Sequence, residues 1–251
     1  MQDSQNYIAK KSQFAKVLTI YGRNAVLEAL QDKNIKSHKL HLANSNQKAP
    51  AIDEMVYICE KNSIEIAYHD KLGLSRISKN AKQDQGVALD IKMDSFVDED
   101  EFIANNINFR ILALDGVTNP QNIGMIIRSA CAGAIDAIIL SSKGGSSITP
   151  LAIKASVGTI FKMPIIQTAS LHKTLQKFKA NNSKIFTLSL NTTKSYKDIN
   201  LDGKNIFILG NETNGVSKEI ENLSDESIII PMNRGVESLN VAVTASLLAF
   251  M

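Results

Sequence analysis

Much of what usually marks a membrane, secreted or nucleotide-binding chain is missing from these 251 residues. No apolar run approaches the ~20 residues that cross a bilayer, which sets a membrane-spanning protein aside. The start, Met1-Gln2-Asp3-Ser4-Gln5-Asn6, lacks the basic stretch and apolar run of a secretory signal, so a cytoplasmic protein is expected. Cys59 and Cys131 are the only cysteines and neither sits in a Cys-x-x-Cys pair, so reduced thiols are expected rather than a disulfide framework. His38, His41, His69 and His172 have no Cys or acidic partner at ligand spacing, so no metal site is expected. Neither GxGxxG nor GxxxxGK[ST] occurs, which removes the usual nucleotide signatures and disfavours a nicotinamide-dependent enzyme. Internal repeats and low-complexity blocks are absent too.

What is present is the composition of a globular protein, 44% hydrophobic and 21% charged. The length suits one large domain or two smaller ones. A net charge of +3 permits a nucleic-acid partner without requiring one. Residues 1–18, with Lys10, Lys11 and Lys16, read as a flexible, solvated tail. Residues 20–92 read as a small α/β unit, with helices at 21–30, 52–62 and 72–77 and strands at 39–43, 64–68 and 87–91. The acidic stretch around Asp94, Asp98, Glu99, Asp100 and Glu101 reads as a linker (94–108) leading into a helix at 101–107.

From Phe109 onward, near-continuous apolar strands alternate with helices, the pattern of a parallel sheet covered on both faces. Strands are expected at 110–115, 137–140, 184–190, 205–209 and 227–230, with a sixth at 164–166. Helices are expected at 122–132, 151–160, 171–180, 217–221 and 238–250. Lys143-Gly144-Gly145-Ser146-Ser147 reads as a flexible loop.

Three loops at the carboxyl ends of these strands could carry chemistry. Residues 115–128 (DGVTNPQNIGMIIR) offer Asn122 as a helix cap, Gly124 as a point of close approach, and Arg128 within an apolar run where it needs a partner such as phosphate or carboxylate. Residues 209–216 (LGNETNGV) form a glycine-rich turn whose only charge is Glu212. Residues 230–240 (IPMNRGVESLN) leave a strand at Pro231 and open a helix at Ser238, a candidate N-cap. Each is readable as an ordinary βα turn. Together they supply Asn122, Arg128, Glu212, Ser238 and Asn240 but no His or Cys, which argues against triad or metal-hydrolytic chemistry.

These three stretches, in this order and at this spacing, resemble the three motifs of the SpoU family of RNA ribose 2′-O-methyltransferases, of the SPOUT class. The segment 21–91, including Ile20-Tyr21-Gly22-Arg23-Asn24-Ala25-Val26 and Gln85-Gly86-Val87, resembles that family's ribosomal-protein-like RNA-binding domain, with Asp84 where a His is usual. The arrangement is most similar to the 23S rRNA guanosine-2′-O-methyltransferases. The resemblance implies an RNA-binding domain at 19–93 and a trefoil-knotted parallel-sheet domain at 109–251. It also implies a homodimer, with the last helix in dimer packing. Its cofactor is S-adenosylmethionine (SAM), carried over to backbone at Gly210, Ile230 and Leu239 and more weakly at Leu190. Its substrate is structured RNA, large-subunit rRNA first and tRNA as the alternative. A catalytically silent RNA-binding or ribosome-assembly protein is the reading from another class.

The resemblance assigns Arg128 as proton acceptor for the ribose hydroxyl. Lowering a guanidinium from above 12 by about 5 units demands ~7 kcal/mol. Phosphate binding and alignment of the 2′-hydroxyl is therefore the expected role of Arg128. Asn122 and Asn240 would fix the loops, Ser238 would bond near the ribose, and Glu212 would anchor its loop or pair with Arg128.

Overall fold

The computed structural model describes residues 16–33, 35–47, 49–79, 83–141 and 148–251. Lys10, Lys11 and the Lys143–Ser147 loop lie outside the described residues. The chain divides into two compact units, Met1–Asp94 and Ser95–Met251. No helix among the described residues is long and apolar enough to cross a membrane.

The first unit is a four-stranded sheet with helices. Its elements are β1 (Val17–Tyr21), α1 (Arg23–Gln31), β2 (Ser37–Ala43), α2 (Pro50–Lys61), β3 (Glu65–His69), α3 (Lys71–Ser78) and β4 (Val87–Lys92). The strand order is β1-β4-β2-β3, with β2 and β3 parallel and the other pairs antiparallel. β1 corrects the expectation of a tail reaching residue 18. Val17 and Leu18 pair with Lys92 and Ile91, so the strand begins there. Asp84, in the place of the usual His, is buried and accepts from Ser78 Oγ (2.9 Å) and Gly86 N (3.0 Å), shaping the turn before β4.

A polar chain runs through this sheet. His41, buried on β2, has Nδ1 2.9 Å from His69 Nε2 and Nε2 3.1 Å from Asp90 Oδ2. Thr19 Oγ1 donates to Asp90 Oδ1 at 2.6 Å. Burial pushes the Asp90 carboxyl up, but the bonds from His41 and Thr19 outweigh it and hold the group below its ordinary value. Desolvation first, then the neighbouring His41, pushes His69 below the usual histidine value.

The second unit contains β5 (Phe96–Val97), α4 (Glu99–Asn105), β6 (Phe109–Leu114), α5 (Pro120–Ala132), β7 (Ala137–Ser141), α6 (Pro150–Ser156), β8 (Ile165–Thr168), α7 (Leu171–Ala180), β9 (Lys184–Leu188), β10 (Lys204–Leu209), α8 (Lys218–Leu223), β11 (Glu226–Ile228) and α9 (Val241–Ala249). Short 3-10 turns lie at Thr159–Phe161 and Tyr196–Asp198. The order is β11-β9-β10-β6-β7-β8-β5, and every pair is parallel. β6, β7 and β8 step outward one way, then β10 returns beside β6. The sheet therefore reverses between β6 and β10, the kind of place where open α/β sheets bind ligands.

Residues 95–108, expected as a linker, are instead part of this unit. Phe102 of α4 packs against Phe109 and Phe178, at ring-centroid distances of 5.4 and 6.5 Å. The acidic run is held by α7: Thr174 Oγ1 donates to Glu99 (2.7 Å), and Lys177 Nζ to Glu99 (2.5 Å) and Asp100 (2.9 Å). Asp98 caps α4 by accepting from the amides of Asp100 and Glu101, so the helix starts at Glu99 and ends at Asn105.

Candidate active site

The carboxyl ends of β6, β9, β10 and β11 lead into four loops, and local chemistry fixes the geometry of each. After β6, Asn119 caps α5 through Oδ1, which accepts from Gln121 N (2.9 Å) and Asn122 N (3.4 Å). Asn122 was the expected cap. Pro120 decides for Asn119, because a proline fits the first helical position where its missing N–H costs nothing. After β11, Asn240 rather than Ser238 caps α9, accepting from Ala242 N at 2.9 Å, and the helix opens at Val241. Freed of that task, Ser238 is exposed in the loop.

After β10 the chain makes a closed ring. Asn211 and Gly215 exchange two backbone hydrogen bonds of 2.9 Å each. A Cβ on Gly210 would lie 2.3 Å from Gly215 C and 2.4 Å from Val216 N, so this ring requires glycine there. The close approach foreseen at Gly124 is real, but the neighbour is α6. A Cβ there would meet Ala152 O and Ala155 Cβ, both at 2.5 Å.

Three of the candidate side chains meet. Asn122, buried in the first turn of α5, donates from Nδ2 to Glu212 Oε1 at 2.5 Å. Its Oδ1 accepts from Asn240 Nδ2 at 3.2 Å. One carboxamide thus joins the loops after β6, β10 and β11. Glu212 is bonded to Asn122 and not to Arg128. Arg128 falls on the exposed stripe of α5 with Gln121 and Met125, and has no hydrogen-bond or ion-pair partner among the described residues. The apolar neighbours Ile126, Ile127 and Ala130 turn inward, so burial does not impose a partner on this arginine.

A cavity of about 380 Å³ opens between the loops. It is lined by Leu188–Leu190, by Leu209–Thr213 with Gly215 and Val216, and by Ile229, Ile230, Met232, Glu237, Ser238, Leu239, Val241 and Thr244. All four residues expected to meet a cofactor (Leu190, Gly210, Ile230 and Leu239) lie on its wall, as do Glu212 and Ser238. Asn122, Arg128 and Asn240 do not. The other lining residues, among them Ser189, Asn211, Met232, Glu237 and Thr244, were not expected as site residues, although Asn211, Met232 and Glu237 fall within the candidate loops. The volume is that of a small-molecule site, ~300–1,000 Å³. Its walls pair apolar side chains with loop backbone and the two carboxylates Glu212 and Glu237, which suits a ligand with an apolar part and a positive charge.

Comparison with known proteins matches this architecture. Residues 110–250 match the model of the SpoU rRNA Methylase family, and residues 19–97 match that of the RNA 2′-O ribose methyltransferase substrate-binding domain. The chain belongs to the SpoU family and is an RNA methyltransferase. A protein of Staphylococcus epidermidis, named for the TrmH family of tRNA/rRNA methyltransferases, is 30% identical over 239 residues, covering 93% of this chain and 94% of its own. The fold recurs in the AdoMet-bound rRNA methyltransferase of Sinorhizobium meliloti, with a TM-score of 0.62, 20% identity, and coverage of 99% of this chain and 95% of that one. It recurs in the SpoU methyltransferase AviRb of Streptomyces viridochromogenes in complex with AdoMet, with a TM-score of 0.61, 20% identity, and coverage of 98% and 91%.

Proposed function

We propose that the protein transfers a methyl group from SAM to a ribose 2′-hydroxyl of structured RNA, a guanosine of 23S rRNA by preference, in the cytoplasm. One observation carries this reading: the cavity among the loops after β9, β10 and β11, walled by Gly210, Ile230, Leu239 and Leu190 and bordered by the Asn122–Glu212–Asn240 chain. The residues fit SAM. Apolar walls at Leu190, Leu209 and Val241 suit an adenine, loop backbone offers donors and acceptors, and Glu212 and Glu237 oppose a positively charged ligand. The cofactor supplies an already activated methyl group, so the protein's part is alignment and proton removal.

Alignment alone can contribute on the order of 7–11 kcal/mol. Arg128 stands exposed on α5 and free to take an RNA phosphate bidentately. That contact would fix the 2′-hydroxyl beside the loop bearing Ser238. Asn122 and Asn240 hold the loops in register, and Glu212 anchors its own loop through Asn122. The trefoil knot belongs to the same proposal, supported by the crowding of the β9, β10 and β11 loops around one cavity. So does a homodimer through α9, supported by its exposed Val243 and Phe250 beside Tyr196 and Leu201.

Mapping 2′-O-methyl positions in total RNA from cells with and without the protein tests the substrate. Loss of one guanosine mark in 23S rRNA is expected. Loss of a tRNA mark alone would replace rRNA by tRNA, and no lost mark would contradict both.

A further inference from the structure

The ring of residues 211–215 forms one side of the cavity, and something must stop it swinging on Gly210. Asn211 uses both ends of its side chain for this. Its Oδ1 accepts from Thr213 N (2.8 Å) and Asn214 N (3.2 Å), folding the ring from within. Its Nδ2 donates to Gly116 O at 2.8 Å, tying the ring to the loop after β6. Gly116 stands at φ 70, a left-handed conformation that glycine adopts without strain. A second tie lies on the far side of the ring, where Ser217 N donates to Asp115 Oδ2 at 2.7 Å. The ring thus meets the loop that leads into α5, the helix of Asn122 and Arg128.

We infer that Asn211 is a positioning residue of the methyl-transfer site, holding the cofactor-side ring in register with the RNA-side helix α5 through its bond to Gly116. This rests on the assignment of the cavity to SAM. Without the Nδ2 bond the ring keeps its internal turn but moves against α5. Cofactor binding and methyl transfer then suffer, while RNA binding does not.

Two variants isolate the donor. Asn211→Asp and Asn211→Ser both keep an oxygen for the Thr213 amide, and neither offers the amide donor to Gly116. SAM affinity is read by calorimetry, apo stability by thermal melting, ring opening by amide hydrogen exchange, and KM separately for SAM and RNA. Expected in either variant are a SAM Kd raised about three- to tenfold, faster exchange at Thr213–Gly215, and a lower kcat. The apo melting temperature and the KM for RNA stay unchanged. SAM affinity at the wild-type level in both variants would overturn the inference. So would a fall in melting temperature accompanied by a rise in both KM values, which marks a merely structural residue. Failure of the wild-type protein itself to bind SAM would instead sink the cavity assignment.

Discussion

In the proposed mechanism Arg128 is the residue on which the chemistry turns, and its exposure on α5 makes that role testable. Arg128→Ala is expected to abolish transfer, by at least about a hundredfold, the scale of one lost positioning contact, while calorimetry shows SAM still bound. Arg128→Lys is the sharper test. A lysine keeps the charge but loses the planar fork that grips a phosphate, so a raised KM for RNA with reduced turnover is expected. Retained turnover beside weak RNA binding would favour the proton-acceptor role. In the first unit, His69 makes stability depend on pH. Its folded value is pushed below the unfolded one, so the unfolded chain binds more protons as pH falls through the ordinary histidine range near 6.5. The stability it contributes is complete above that range and is lost below it. Melting temperature should fall between pH 7.5 and 5, and His69→Gln should fall less; equal slopes would remove His69 as the cause. Several of these residues were legible as chemistry before they were legible as geometry. Asn122, Glu212 and Asn240 stood out as polar groups in turns, yet their mutual bonds join positions far apart in the chain. Both caps were misplaced for a local reason: Asn119 competes with Asn122, and Asn240 with Ser238, and only the folded backbone decides.

Most helices and strands were readable from their apolar pattern, whereas β1 and β5 were not. β5 has two residues and exists only because β8 offers Phe96 and Val97 a parallel edge. The acidic run looked like a linker because its partners, Thr174 and Lys177, lie on a distant helix. Gly124 was readable as a point of close contact, but not as a contact with α6. Gly124→Ala places a methyl 2.5 Å from Ala152 O and should cost ~1–3 kcal/mol of stability in urea denaturation, as overpacking does. No measurable loss would mean that α5 and α6 separate easily. The loop before α9 makes a different prediction, because the proposed contact at Leu239 is backbone. Leu239→Pro removes an N–H and should weaken SAM binding far more than Leu239→Met, as read by calorimetry. Equal effects would assign the contact to the side chain.

At the scale of the molecule, the alternation of strand and helix announced a parallel α/β sheet, and the composition allowed two units. The order β11-β9-β10-β6-β7-β8-β5 could not be read that way, since parallel neighbours are chosen by packing rather than by sequence adjacency. That order sets β10 beside β6, and the bonds from Asn122 to Glu212 and Asn240 then draw three ordinary-looking βα turns together. The most direct test of that site is transfer of labelled methyl from tritiated SAM to purified 23S rRNA and, separately, to bulk tRNA, followed by alkaline hydrolysis. A 2′-O-methyl group blocks cleavage at its own nucleotide, so label recovered in alkali-resistant dinucleotides of the rRNA is the expected result. Label in ordinary mononucleotides, or no label in either RNA, would contradict ribose methylation.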